Sequence, residues 1–173
     1  KSLGRRIFTE SESARVERVS VVAEELTSDA LPVADFASPP FTYDIETAAT
    51  QDSGSAAGLP RRALAEVRRV VRFPFGYAQR HDPRFRVLLN DPRILAVSDR
   101  HPGAFDAVLL FVLTHELIHV IRFATFRREF EASRRARRQE EDVVRSLTDA
   151  ALDRRTVRQS FQGLDGVLDR FRR

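Results

Sequence analysis

Five consecutive residues, His115-Glu116-Leu117-Ile118-His119, carry the types and spacing that chemistry on a metal ion requires. In a helix, residues four apart share a face about one turn apart, so both imidazoles can reach a single cation. Nitrogen donors at about 2.0–2.1 Å favour zinc among the common metals. Glu116 points partly around the helix from His115. It can reach a water on the ion without ligating the ion itself, which is the placement of a general base. The flanks sharpen the reading: Val108, Leu109, Phe111, Val112 and Leu113 precede the five residues, and Val120 and Ile121 follow them. Two imidazoles and a carboxyl inside so apolar a helix are costly unless paired or metal-bound. A hydrogen-bonded histidine pair without a metal is the plainer alternative.

A catalytic zinc commonly takes three protein ligands and keeps one position open. The chain has four histidines (His81, His101, His115 and His119) and no cysteine, so thiolate sites are excluded. A metzincin would need Gly at 122 and His at 125, where Arg122 and Thr125 stand, and a Met-turn, for which there is no methionine. No histidine follows His119. Unless His81 or His101 folds in, the third ligand is a downstream carboxylate. The stretch QEEDVVRSLTDAAL (139–152) offers two, Glu140 and Glu141. On a helix Glu141 shares a face with Val144, Thr148 and Leu152, and Glu140 shares one with Val143, Val144 and Leu147. Helical geometry leaves both open.

The motif His115-Glu116-Leu117-Ile118-His119, followed by a glutamate on the next helix, resembles the gluzincin type of zinc metallopeptidase. The resemblance covers about residues 93–152. In that group the downstream Glu opens a helix motif with a small apolar residue three positions on, and Glu141 with Val144 fits better than Glu140. The resemblance implies a Zn2+ cofactor held by His115, His119 and Glu141, and hydrolysis of a peptide or protein substrate. Glu116 would take a proton from the attacking water and pass it to the leaving amine. Two positions depart from the family pattern. Arg145 stands where many members carry Asp, and no Tyr or His follows His119 to stabilise an oxyanion. Tyr77, His101 and Arg145, with Tyr43 and His81, are the groups left for that task.

Several elements must hold these residues. Val16, Val19, Val22 or Ala23, and Leu26 predict a helix over about 12–28. Residues 29–60, rich in Pro, Ala and Ser, read as a loop with one extended piece at Phe41–Ile45. Leu59-Pro60 is expected to open a helix with Leu64, Val67, Val70 and Val71 on its apolar side. Phe85–Asn90 and Arg93–Ser98 read as short strands, the second edging the cleft where an extended substrate could pair. Helices are expected over about 104–126 and 127–155, and a short amphipathic helix in the tail at 161–173. The fold class is α+β, mainly α: a zincin-like domain with the motif helix, a second glutamate helix and a small sheet.

The 173 residues suit one domain with an N-terminal arm. Residues 1–60 would form a helix and an acidic arm, and residues 61–173 the metal-binding domain. The whole chain carries a net charge of +4, yet residues 19–60 contain no Lys or Arg and seven acidic residues. Such an arm could lie over a basic body as an intramolecular inhibitor. Between Arg122 and Arg138 stand seven Arg and two Glu. That run could meet nucleic acid, but no nucleic-acid motif accompanies it, so a solvated helix face is the better reading. The longest unbroken apolar run, Ala107–Leu113, is too short to span a bilayer. The lack of cysteine fits a reducing compartment, so a cytoplasmic location is expected. Peptidase is the leading reading; a non-catalytic zinc-binding module and a nucleic-acid-associated protein are the alternatives.

Overall fold

Residues 105–125 are apolar on every side, and a helix of that kind must be surrounded by protein or by lipid. In the computed structural model it is surrounded by protein. The structure describes residues 6–31, 41–48, 50, 63–70, 84–100, 103–125 and 134–172. They form α1 (Glu10–Ala30), β1 (Thr42–Glu46), β2 (Ala65–Val70), β3 (Arg84–Leu89), α2 (Asp91–Ser98), α3 (Phe105–Thr125), α4 (Arg134–Leu152), α5 (Arg155–Ser160) and α6 (Leu164–Arg172). The architecture is mainly α with a small three-stranded mixed sheet. By length and composition α3 could cross a membrane, although no unbroken apolar run in it is long. Sixteen of its 21 residues are buried, and α1, α2, α4, α6 and the sheet all pack on it.

α1 starts at a capping box. Glu12 N–H donates to the Thr9 hydroxyl at 3.3 Å, and Thr9 N–H donates to the Glu12 carboxylate at 2.8 Å. These bonds satisfy amides that a helix start leaves open. The helix buries Val16, Val19, Ala23 and Leu26, the apolar stripe legible in the sequence, against α3. The sheet has the order β1-β3-β2, with β1 parallel and β2 antiparallel to β3. Phe85, Val87 and Leu89 of the central strand point into the core. Arg84 and Arg86 face outward, where they pair with Asp44 and Glu46 of β1.

Two expectations are corrected. Residues 93–98 are helical, not a strand. Asn90 caps α2, its side chain accepting from Arg93 N–H at 3.4 Å, and Pro92 lies in the first turn, where its missing N–H costs nothing. Residues 65–70 are a strand, not part of a helix. Ala65 and Val67 alternate inward, Val67 pairs with Val87, and Asn90 N–H donates to Leu64 O at 2.8 Å. Leu59-Pro60 lies outside the described residues. Described parts of the first 60 residues also pack on the rest of the chain. β1 hydrogen-bonds β3, α1 lies on α3, and the buried Asp91 carboxylate accepts from Phe8 N–H at 3.1 Å and Ala48 N–H at 3.0 Å. Of the acidic arm, residues 32–40, 49 and 51–60 lie outside the described residues, as do 126–133 of the basic run.

Beyond α4 the chain turns through α5 into α6, where the sequence showed only one helix. Gly163 has φ +81°, in the left-handed region, and a Cβ there would meet the Ala104 Cβ at 2.9 Å. That close approach seats α6, through Val167 and Leu168, at the start of α3.

Candidate metal centre

α3 supplies His115, Glu116 and His119, and α4 supplies the carboxylates. Arg122 meets Glu140 while His115 meets Thr148, so the two helices run antiparallel. Glu141 lies opposite both imidazoles. Its Oε2 is 3.5 Å from His115 Nε2, and its Oε1 is 3.3 Å from His119 Nε2. One ligand atom from each of the three residues can be chosen so that all lie within 4.8 Å of one another. Donors at about 2.0–2.1 Å from a tetrahedral ion sit about 3.3–3.4 Å apart. Both imidazole–carboxylate separations match that edge, and two nitrogens with one carboxylate are a donor set suited to zinc. On distance and chemistry, these residues fit the ion.

The choice the sequence left open is resolved by Arg122. It takes Glu140 in a two-pronged ion pair, Nε to Oε1 at 2.5 Å and Nη2 to Oε2 at 2.9 Å, with both side chains only 11% exposed. Glu140 is thereby engaged away from the imidazoles, and among the described residues Glu141 is the carboxylate that reaches them.

The surroundings orient the ligands. Thr148 donates its hydroxyl proton to Val144 O at 2.8 Å, so its oxygen is left to accept from His115 Nδ1–H at 3.4 Å. A proton held on Nδ1 leaves the Nε2 lone pair for a metal. Among the described residues the His119 Nδ1 is buried without a hydrogen-bond partner, while its Nε2 faces Glu141. Each ring also rests on an aromatic neighbour. His115 stacks on Phe111, which stacks on Phe171 of α6 at 4.5 Å, and His119 stacks on Phe123 at 5.4 Å.

Glu116 is buried, with 9% of its surface exposed. Burial pushes its carboxyl up to about 7; His115 opposes the rise, and the charges of Glu141 and Glu66 add to it. Glu141 moves the other way. Its contacts with His115 and then His119 hold it well below the usual carboxylate range, against the effect of burial. Two carboxyls of opposite tendency in one site are the usual mark of divided roles.

Of the groups expected to stabilise an oxyanion, Tyr43 gives its hydroxyl to Glu24 of α1. Arg145 is exposed on α4, one turn beyond Glu141. Tyr77, His81 and His101 lie outside the described residues. Sequence reasoning missed Arg122 as the partner of Glu140, the Phe171–Phe111 support, and Glu66. Glu66 was hidden by reading β2 as a helix; its alternation with buried Ala65 and Val67 was the available signal. Compared with known proteins, the chain matches no family model, no curated protein and no solved structure.

Proposed function

We propose that this chain is a zinc-dependent peptidase of the gluzincin type, on a zincin-like domain. The observation that carries the reading is the convergence of the His115 and His119 Nε2 atoms on the Glu141 carboxylate, beside a buried Glu116. His115, His119 and Glu141 would hold a zinc ion, which would supply Lewis acidity and lower the pKa of water for attack. Glu116 stands in the base position. It accepts the proton of the attacking water and returns it to the leaving amine. The burial that raises its proton affinity comes from the packing of α3 and suits a group that must both take and give a proton near neutral pH.

The role first given to residues 94–98 passes to β2. It is an edge strand of the sheet, it packs on α3, and its Glu66 lies near enough to act on Glu116. An extended peptide added to that edge would lie across the metal helix, with main-chain hydrogen bonds setting its register. The acidic arm, residues 29–60, is part of the proposal as an intramolecular inhibitor, on its charge opposite to that of the rest of the chain. Removing residues 1–58 should raise turnover on a peptide, and a folded but no faster truncation would refute it.

The zinc-loaded protein should hydrolyse an unfolded protein substrate such as casein, lose that activity to a chelator and regain it with zinc. Glu116→Gln should keep the metal and lose turnover by orders of magnitude. Stoichiometric zinc without cleavage of casein or of a broad peptide library would refute the peptidase reading in favour of a metal-binding module.

A further inference from the structure

We infer that Arg122 selects which of two adjacent carboxylates becomes the metal ligand, by engaging Glu140 and leaving Glu141 to the imidazoles. The inference rests on the metal-site reading above and adds a positioning residue to it. Glu140 and Glu141 are neighbours at the same level of α4, and both would serve zinc chemically. Their surroundings differ. The planar guanidinium of Arg122 presents two N–H groups to the two oxygens of Glu140, at 2.5 and 2.9 Å. A carboxylate matched by both prongs is fixed in direction as well as in charge.

Among the described residues Glu141 has no such support: its side chain is 56% exposed, and its ion-pair contacts are the two imidazoles. Its position therefore follows from where the α4 backbone lies. Arg135, Arg137, Arg138 and Gln139 are exposed, and the first fully buried side chain of α4 is Val144. Val144, one turn on from Glu140, is fully buried. Arg122 lies three residues after His119, on the same helix as both imidazoles, so the pair turns Glu140 aside right next to the site.

Breaking the pair from either side has a defined consequence. Without Arg122, Glu140 loses the two-pronged partner that directs it and can compete with Glu141 for the ion. Without the Glu140 charge, Arg122 can turn to Glu141 and compete with the ion. Removing both competitors leaves Glu141 and the imidazoles as they were.

The test is a zinc-affinity series by competition with a chromophoric chelator, with the visible spectrum of the cobalt-substituted protein as a second readout. Arg122→Ala and Glu140→Gln should each weaken zinc about 10- to 100-fold, the range for loss of a group that orients a ligand, and should alter the cobalt bands. The double variant should recover most of the affinity and the original bands. Arg122→Lys, which keeps the charge but not the fork, should fall between wild type and Arg122→Ala and covers the case in which the alanine variant does not fold. Single variants that bind zinc as wild type does, with unchanged cobalt bands and a lower melting temperature, would make the pair a fold contact and overturn the inference alone. A wild-type chain that binds no zinc would overturn the metal-site reading and this inference with it.

Discussion

Replacing Glu116 by Gln should stabilise the metal-free protein, by an amount that grows with pH. Glu116 sits on the central helix with 9% of its surface exposed, and burial raises its carboxyl from the usual 4.5 to about 7. The folded state therefore binds a proton that the unfolded state has released over that interval. Below about pH 4.5 both states are protonated and Glu116 costs nothing as a charge. As pH rises from 4.5 to 7 stability falls, and above 7 the loss is complete. At about 1.4 kcal/mol per pH unit, the rise from 4.5 to about 7 corresponds to about 3 kcal/mol. Gln has nearly the same shape and no charge, so it removes the loss. For a chain of this size, 1 kcal/mol moves Tm by roughly 2–4 °C, so the variant should melt roughly 6–12 °C above wild type at pH 8. The gap should close toward pH 4.5. The assay is thermal unfolding in excess chelator across that pH range. A Tm difference that is absent at pH 8, or constant with pH, would refute the burial argument for Glu116. A gain in stability where turnover is lost is what a residue kept for chemistry should show.

Two further predictions concern the supports of the site. Gly163→Ala should destabilise by about 1–3 kcal/mol, the cost of a strained left-handed residue, since a Cβ at φ +81° would also meet the Ala104 Cβ at 2.9 Å. Chemical denaturation checks this, and an unchanged midpoint would contradict it. Thr148→Val removes the oxygen that accepts from His115 Nδ1 at 3.4 Å. Zinc affinity should fall about tenfold or more and return with Thr148→Ser; a valine variant of wild-type affinity would show that the bond does not orient His115.

The parts of the molecule legible in the sequence are those fixed by local spacing. The stripe Val16, Val19, Leu26 announced α1, and the run from Val108 to Ile121 announced a buried helix bearing the two imidazoles. Spacing alone leaves Glu140 and Glu141 open; Glu141 is favoured through the resemblance to gluzincins, and Val144 and Thr148 on its face are both fully buried. What spacing does not contain is the partner across the chain. Residues 64–71 fit a helical period and a strand period alike, and pairing with β3, more than a dozen residues away, decides for the strand. The short apolar run 94–98 is ambiguous in the same way. There the Asn90 cap and Pro92 were local signals that could have settled it. The diversion of Glu140 to Arg122 depends on which way α4 faces α3, and no periodicity within either helix states that.

The central claim is most directly tested by zinc titration of the chelator-treated protein, coupled to X-ray absorption at the zinc edge. The account predicts one ion per chain, a shell of nitrogen and oxygen at about 2.0–2.1 Å with the scattering signature of two imidazoles, and loss of tight binding in His119→Ala and Glu141→Ala. Binding of less than one ion per chain, or a zinc shell unchanged when His119 and Glu141 are removed, would contradict it.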